Sequence, residues 1–147
     1  MPDTCLFCRM ILGEVAAPVV YESEVAFAFL DHRPLFPGHC LVVPRRHIPT
    51  LAEVPSYLLG PFFAAVQLIT RSVEAAMDAQ GTFVAMNNRI SQSVPHLHVH
   101  VVPRNRGDGL RGFFWPRTRY ASEEDLERVR ALVMTAVKEI TGVVEGA

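Results

Sequence analysis

Three of the six histidines in this 147-residue chain alternate with aliphatic residues, in Pro95-His96-Leu97-His98-Val99-His100-Val101-Val102-Pro103. Successive side chains of an extended strand point to opposite faces, which puts His96, His98 and His100 on one face and Leu97, Val99 and Val101 on the other. One face is made for packing and the other for chemistry. Imidazole titrates near neutral pH and is the commonest metal ligand, so the row reads either as phosphate or acyl chemistry or as a metal site. A lone histidine on a strand is ordinarily hydrogen-bonded or solvated. Three in alternation, clamped by Pro95 and Pro103, ask for a further reason.

Two other groups of residues could do chemistry. Cys5 and Cys8, in Cys5-Leu6-Phe7-Cys8, do not make a disulfide framework; in a reducing compartment the spacing reads as a metal half-site or a redox pair. Cys40 is most simply a small buried hydrophobe. Beyond the histidines, Arg104, Arg106, Arg111, Arg117 and Arg119 accompany one acid, Asp108, with Phe113, Phe114, Trp115 and Tyr120 interleaved. Guanidinium groups pair bidentately with phosphate and aromatic faces stack on bases, so the segment could extend a nucleotide site. It reads equally well as a solvated loop whose aromatics pack beneath it or against a partner subunit.

The elements that must position these groups are legible from periodicity. A weak signal predicts a short helical turn from Met10 to Val15, ending near Gly13. Val19–Glu22 and Val25–Asp31 read as two strands of a hairpin with a tight Ser23-Glu24 turn. Residues 32–38, with two prolines and a glycine, read as a loop, and His39–Pro44 as a third strand. From Pro55 to Gln80 apolar residues recur at three- and four-residue intervals, the pattern of an amphipathic helix; Pro61 implies either a start there or a kink. Thr82–Asn87 is a fourth strand, Arg89–Ser93 a loop, and the histidine row a fifth strand. Ser122 caps a second helix with an acidic first turn, running to Ile140 and stopped by Gly142. Strands joined mostly by short turns, with one long helix as a crossover, predict an α+β fold with an antiparallel five-stranded sheet and a C-terminal helix.

Composition sets the remaining bounds. The length suits a single domain over residues 1–147, with a cysteine knuckle at 1–15, a core at 19–105 and the arginine and aromatic segment with its helix at 106–147. A formal net charge of −1 gives no general reason to expect nucleic acid or a membrane surface as partner. Lys138 is the only lysine. No signal-peptide pattern or membrane-length apolar run is present, which predicts a cytoplasmic protein.

The row His96-Leu97-His98-Val99-His100-Val101-Val102 resembles the mark of the histidine triad (HIT) family, and the resemblance extends from Cys5 through Phe29-Leu30-Asp31, Pro37-Gly38-His39 and Gln92-Ser93-Val94 to Arg104. It implies a homodimeric nucleotide-binding hydrolase or transferase acting at the α-phosphate of nucleotide conjugates. His98 would be the nucleophile, His100 would bond a phosphate oxygen or the leaving group, and His39 would be the fourth histidine. A neutral imidazole needs no prior deprotonation to attack phosphorus, provided its other nitrogen donates to an acceptor that fixes the tautomer. Asp31 would take the ribose hydroxyls, Gln92 and Ser93 the phosphate, and Asn87 or Asn88 the family's amide position; Phe29 joins the substrate-binding set. The sequence departs from the family in replacing its Gly-rich loop by the shorter Arg89-Ile90-Ser91.

Cys5, Cys8, His47 and His96 supply two thiolates and two imidazoles, a closed tetrahedral set typical of structural zinc, and the resemblance to a bacterial subset of the family supports it. A catalytic zinc on His96, His98 and His100 is the competing arrangement. The arginine and aromatic segment with its helix is longer than the tail of the family's shortest members, which favours cleavage of dinucleoside polyphosphates over nucleoside phosphoramidates; hydrolysis and phosphorolysis both stay open, and the rival from another class is a nucleotide-binding adaptor without turnover.

Overall fold

The computed structural model describes residues 4–111 and 117–142. It divides into two compact units, residues 1–108 and residues 109–147. In the first, the order is α1 (Leu6–Ile11), β1 (Val19–Glu22), β2 (Ala26–Leu30), β3 (Cys40–Pro44), a 3-10 turn at Leu51–Glu53, α2 (Ser56–Ala76), β4 (Gly81–Ala85) and β5 (Val99–Arg104). The second holds α3 (Glu123–Thr141). Phe113, Phe114 and Trp115 of the arginine and aromatic segment lie outside the described residues.

All strand pairs are antiparallel, in the order β1-β2-β3-β5-β4. The chain leaves β3, crosses by α2 to the far edge, and returns with β5 into the gap between β3 and β4. The histidine-bearing segment therefore feeds the inner strand of the sheet. Parity along the strands then decides what each face carries. Ala26, Ala28, Cys40, Val42, Val99 and Val101 pack against Phe62, Val66, Ile69 and Val73 of α2. The intervening residues Phe27, Phe29, Leu41 and Val43 form a second cluster with Cys5, Phe7 and Cys8 of the α1 region. His39, Leu41 and His100 share that second face, since Leu41 stands opposite His100 in the ladder. The alternation read from the sequence thus separates packing from chemistry across one sheet.

The boundaries of α1, α2, β5 and β4 differ from the sequence reading, each for a physical reason. The first helix begins at Leu6, inside the cysteine knuckle, because Arg9 N–H and Leu12 N–H reach back to the carbonyls of Cys5 and Cys8. The helix α2 runs unbroken from Ser56 with Pro61 as its sixth residue. The ring removes the bond to the Tyr57 carbonyl, and Tyr57 is exposed, so water can serve that group. The fifth strand starts at Val99, not at His96. His96 N–H bonds Val94 O within its own loop and Leu97 N–H bonds Ile48 O in the loop after β3, so both residues are held before the ladder begins. β4 accordingly stops at Ala85, opposite His100, leaving Met86 and Asn87 without ladder partners.

In the second unit α3 conforms to the sequence. The Ser122 hydroxyl accepts from Asp125 N–H, three acids fill the first turn, and Gly142 closes the helix at φ 69°.

Candidate functional site

The chemistry of the first unit falls into two adjoining groups that share one residue. Cys5 and Cys8 flank the first turn of α1, His47 follows β3, and His96 precedes β5; one ligand atom of each lies within 4.8 Å of all the others, and the group can hold a metal ion. The His96 ring is oriented for that task. Its Nε2–H donates to the Pro44 carbonyl at 2.8 Å, which leaves the lone pair on Nδ1, 3.4 Å from Cys5 Sγ and 3.6 Å from Cys8 Sγ. His47 Nδ1 stands 3.3 Å from Cys8 Sγ. A tetrahedral ion bound to thiolate and imidazole at ordinary bond lengths has S···N edges of roughly 3.6 Å, close to what these atoms already span. Burial pushes the His96 pKa down to about 4, so the ring is in the neutral form that a metal requires. The donor set fits zinc, and with four donors it is closed.

The second group follows from hydrogen bonds whose donors are unambiguous. The backbone N–H of Leu35 donates to His39 Nδ1 at 3.0 Å, so His39 carries its proton on Nε2. That Nε2–H donates to His100 Nδ1 at 2.9 Å, which places the His100 proton on its own Nε2. His98 Nδ1–H donates to the His96 carbonyl at 2.7 Å, which leaves the lone pair on His98 Nε2. The His98 and His100 rings adjoin, 5.3 Å between centroids. One backbone amide and one backbone carbonyl therefore set a lone pair beside an N–H donor. His98 is 3% exposed, but no fully buried side-chain nitrogen among the described residues lacks a partner, so its Nε2 retains access to the surface.

Burial, with the neighbouring His98 and His39, pushes His100 down to about 4; burial also lowers His39 against the opposing pull of Asp31. Both rings are neutral at pH 7. The unfolded chain therefore binds more protons than the folded one between about pH 4 and the ordinary histidine value near 6.5, so stability rises with pH across that window and is lost as pH falls through it. Chemical denaturation at pH 4.5 and pH 7 is expected to show this slope, and His100→Gln to flatten it; equal slopes in the two proteins would contradict the assignment.

The residues expected around the substrate fall on the same unit. Asp31 ends the β2 run, accepts from Arg33 N–H at 2.9 Å, and lies 3.7 Å from His39 Nε2. With His39 and His100 it forms another set of closely spaced potential ligand atoms. Phe29 is buried two positions before Asp31, its ring 5.4 Å from that of Phe7. Asn87 Nδ2 donates to Ser91 O, while Asn88 Oδ1 accepts from Leu51 N–H. Arg89 and Ser91 adopt φ 69° and 57°, a left-handed conformation usually left to glycine, in the loop before the histidine row. Ser93 is exposed, on the wall of a cavity of about 410 Å³ shared with Cys5 and His47. Arg104 is committed to Asp108 through a two-armed ion pair at 2.6 and 3.0 Å.

Gln92 braces this loop: its Oε1 accepts from Arg89 N–H at 2.8 Å and its Nε2 donates to Pro49 O at 2.7 Å. Gln92→Ala is expected to cost about 1 kcal/mol by removing one exposed and one partly buried bond and to speed amide exchange at residues 88–91. A variant with unchanged denaturation midpoint and exchange would show that the brace is idle.

Sequence reasoning missed three contributors. Phe7 packs edge-on to both His98 and His96, with centroids 5.2 and 5.8 Å away, although its place between two cysteines could have marked it. The Leu35 amide and the Pro44 carbonyl act through the backbone, which no side-chain pattern reveals.

A family model described as the HIT domain matches residues 13–107. "Protein hit" of Bacillus subtilis is 33% identical over 134 residues, 89% of this chain and 92% of its own length. The adenosine 5'-monophosphoramidase hnt1 of Schizosaccharomyces pombe is 29% identical, covering 82% of this chain and 90% of that protein. The asymmetrical bis(5'-nucleosyl)-tetraphosphatase of the same yeast is 30% identical, covering 74% and 59%. Among solved structures, a HIT family member from B. subtilis superposes with a TM-score of 0.80 at 32% identity, over 90% of this chain and 96% of that one. A Zn-bound histidine triad family protein from Mycobacterium smegmatis gives 0.70 at 32% identity, over 95% and 99%.

Proposed function

The chain belongs to the HIT domain family, and from that premise we propose that it is a hydrolase cleaving dinucleoside polyphosphates at the α-phosphate through a covalent nucleotidyl-His98 intermediate. The observation that carries the reading is the His98 tautomer: with Nδ1–H held by the His96 carbonyl, the lone pair sits on Nε2. Nε2 attacks the α-phosphorus, forming a P–N bond as the P–O bond to the leaving nucleotide breaks. His100 Nε2–H, fixed by His39, donates to the departing oxygen or to a non-bridging phosphate oxygen. Water then cleaves the P–N bond and returns His98 as a neutral imidazole. Asp31 takes the ribose hydroxyls and Phe29 lies against the nucleoside; Gln92, Ser93 and Asn87 form the phosphate side.

Cleavage of nucleoside phosphoramidates is the second reading, and coverage favours it: the yeast phosphoramidase is matched over 90% of its length, the tetraphosphatase over 59%. The chemistry at His98 is the same, and only the leaving group changes. Incubating the protein with diadenosine tetraphosphate and with adenosine phosphoramidate, and identifying the products, separates the two. Release of AMP from either one places the enzyme; release from neither removes both readings.

The metal group takes zinc, held by Cys5, Cys8, His47 and His96, supported by the donor geometry and by the Zn-bound relative. The ion supplies a structural cross-link between the α1 region, the loop after β3 and the segment before β5. The three cysteines are buried and form no disulfide, which suits a reducing compartment such as the cytoplasm. Homodimerisation is supported by the edge position of β4, where Val84 is exposed.

A further inference from the structure

The metal-binding group and the proposed nucleophile are one mechanical unit. His96 is fixed through both ring nitrogens, Nε2–H to Pro44 O at 2.8 Å and Nδ1 among the two thiols at 3.4 and 3.6 Å. The carbonyl of the same residue receives His98 Nδ1–H at 2.7 Å. Phe7 provides a second link. It lies between Cys5 and Cys8 on the first turn of α1, is 4% exposed, and sets its ring at 78° to that of His98 with 5.2 Å between centroids. Its plane is also nearly perpendicular to His96, at 75° and 5.8 Å, and Phe29 backs it at 5.4 Å. Edge-to-face pairs at these separations are directional, so the Phe7 ring favours one orientation of each imidazole. A helix of six residues has little stability of its own, so Phe7 depends on its packing against Phe29 in the buried cluster and on the pair of cysteines that bracket it.

We propose that Phe7 and the His96 carbonyl are positioning elements for His98, and that metal bound to Cys5, Cys8, His47 and His96 governs the nucleophile by locking both. The consequence for catalysis rests on the reading of His98 as the nucleophile; the consequence for the ring itself does not. The lone pair must meet phosphorus along one line, and a displacement of about 1 Å in a reacting group costs on the order of 100-fold in rate. Without the metal, His96 Nδ1 loses its partner and α1 its tether, so the carbonyl and the Phe7 ring leave their places together.

Two measurements on the full chain test this. The first is 15N NMR of the histidine rings, with zinc bound and after its removal by a chelator, with backbone amide dispersion recording the fold. With zinc, His98 is expected in a single Nδ1–H tautomer; without it, in an average of both tautomers while the sheet amides keep their dispersion. An unchanged His98 signal overturns the coupling. The second is Phe7→Leu, which keeps an apolar side chain between the cysteines. It is expected to retain its zinc, to lower kcat by about tenfold or more and to change KM by less than about twofold, the signature of an interaction that matters in the transition state. A raised KM with unchanged kcat would make Phe7 a substrate contact, and unchanged kinetics with lowered Tm a core residue; either overturns the assignment. If zinc removal unfolds the chain, Phe7→Leu, which keeps the ion, decides the matter alone. If the hydrolase reading is at fault, the zinc-loaded wild type turns over no nucleotide conjugate, yet the NMR comparison still reports on the coupling.

Discussion

Replacing His98 by alanine is expected to lower kcat by roughly three to four orders of magnitude or more while nucleotide affinity changes by less than tenfold. The size follows from what the ring does. Without it no P–N bond forms, and the remaining groups can only position a water molecule for direct attack, the modest residual catalysis left in other enzymes that lose a covalent nucleophile. Affinity survives because the base, ribose and phosphate contacts proposed here come from Asp31, Phe29 and the loop of residues 87–93, which His98 does not support. Its own Nδ1–H bonds only the His96 carbonyl, and truncating the donor leaves that carbonyl open to water at most. His100→Ala should be milder, since leaving-group assistance from a proton donor is worth about 100- to 10,000-fold. Steady-state rates with a titration of AMP measure both; a His98→Ala protein with wild-type turnover would remove the nucleophile from the scheme.

The second large effect is expected from Cys5→Ser combined with Cys8→Ser. Both side chains are buried and both thiols face imidazole nitrogens at 3.3 to 3.6 Å. Serine is a poor zinc ligand, and two of four donors vanish, so elemental analysis is expected to fall from about one zinc per chain to near zero. Because an ion that binds only the folded chain contributes its binding free energy to folding, several kcal/mol should be lost with it. For a chain of this length that corresponds to roughly 10 °C in Tm. The loss should be specific to metal: chelation should bring the wild type down to the variant and leave the variant where it is. Full zinc content in the double variant would move the ion elsewhere, with the row His96, His98 and His100 as the next place to look.

The sequence disclosed the sheet and its sidedness because both rest on periodicity. The alternation of Phe27 and Phe29 with Ala26 and Ala28, and of Leu97, Val99 and Val101 with the histidines, carries its meaning in residue type alone. His47 and His96 were legible as partners of the cysteines only as a set of residue types; that their ligand atoms stand within 4.8 Å of one another is a product of the β3–β5 pairing. What stayed hidden is where the backbone does the work. The amide of Leu35 fixes the proton of His39, and through it that of His100; the carbonyl of Pro44 turns the His96 lone pair toward the thiols. A backbone group has no letter in the sequence. The late start of β5 belongs to the same class, since the bonds from Leu97 to Ile48 and from His96 to Val94 depend on a loop that residue types near His96 do not announce. Residue type marks Gln92 as a group for phosphate but does not announce that its amide also holds its own loop in shape, through Arg89 N–H and Pro49 O.

The most direct test of the central claim is to trap the covalent species. Wild-type protein mixed with diadenosine tetraphosphate or adenosine phosphoramidate, quenched within milliseconds in alkaline denaturant where a P–N bond to histidine persists, is digested and its peptides are weighed. An adenylyl group is expected on the peptide containing His98, formed at least as fast as steady-state turnover and absent from His98→Ala. Turnover without that adduct, or with the adenylyl group on another residue, would contradict the claim.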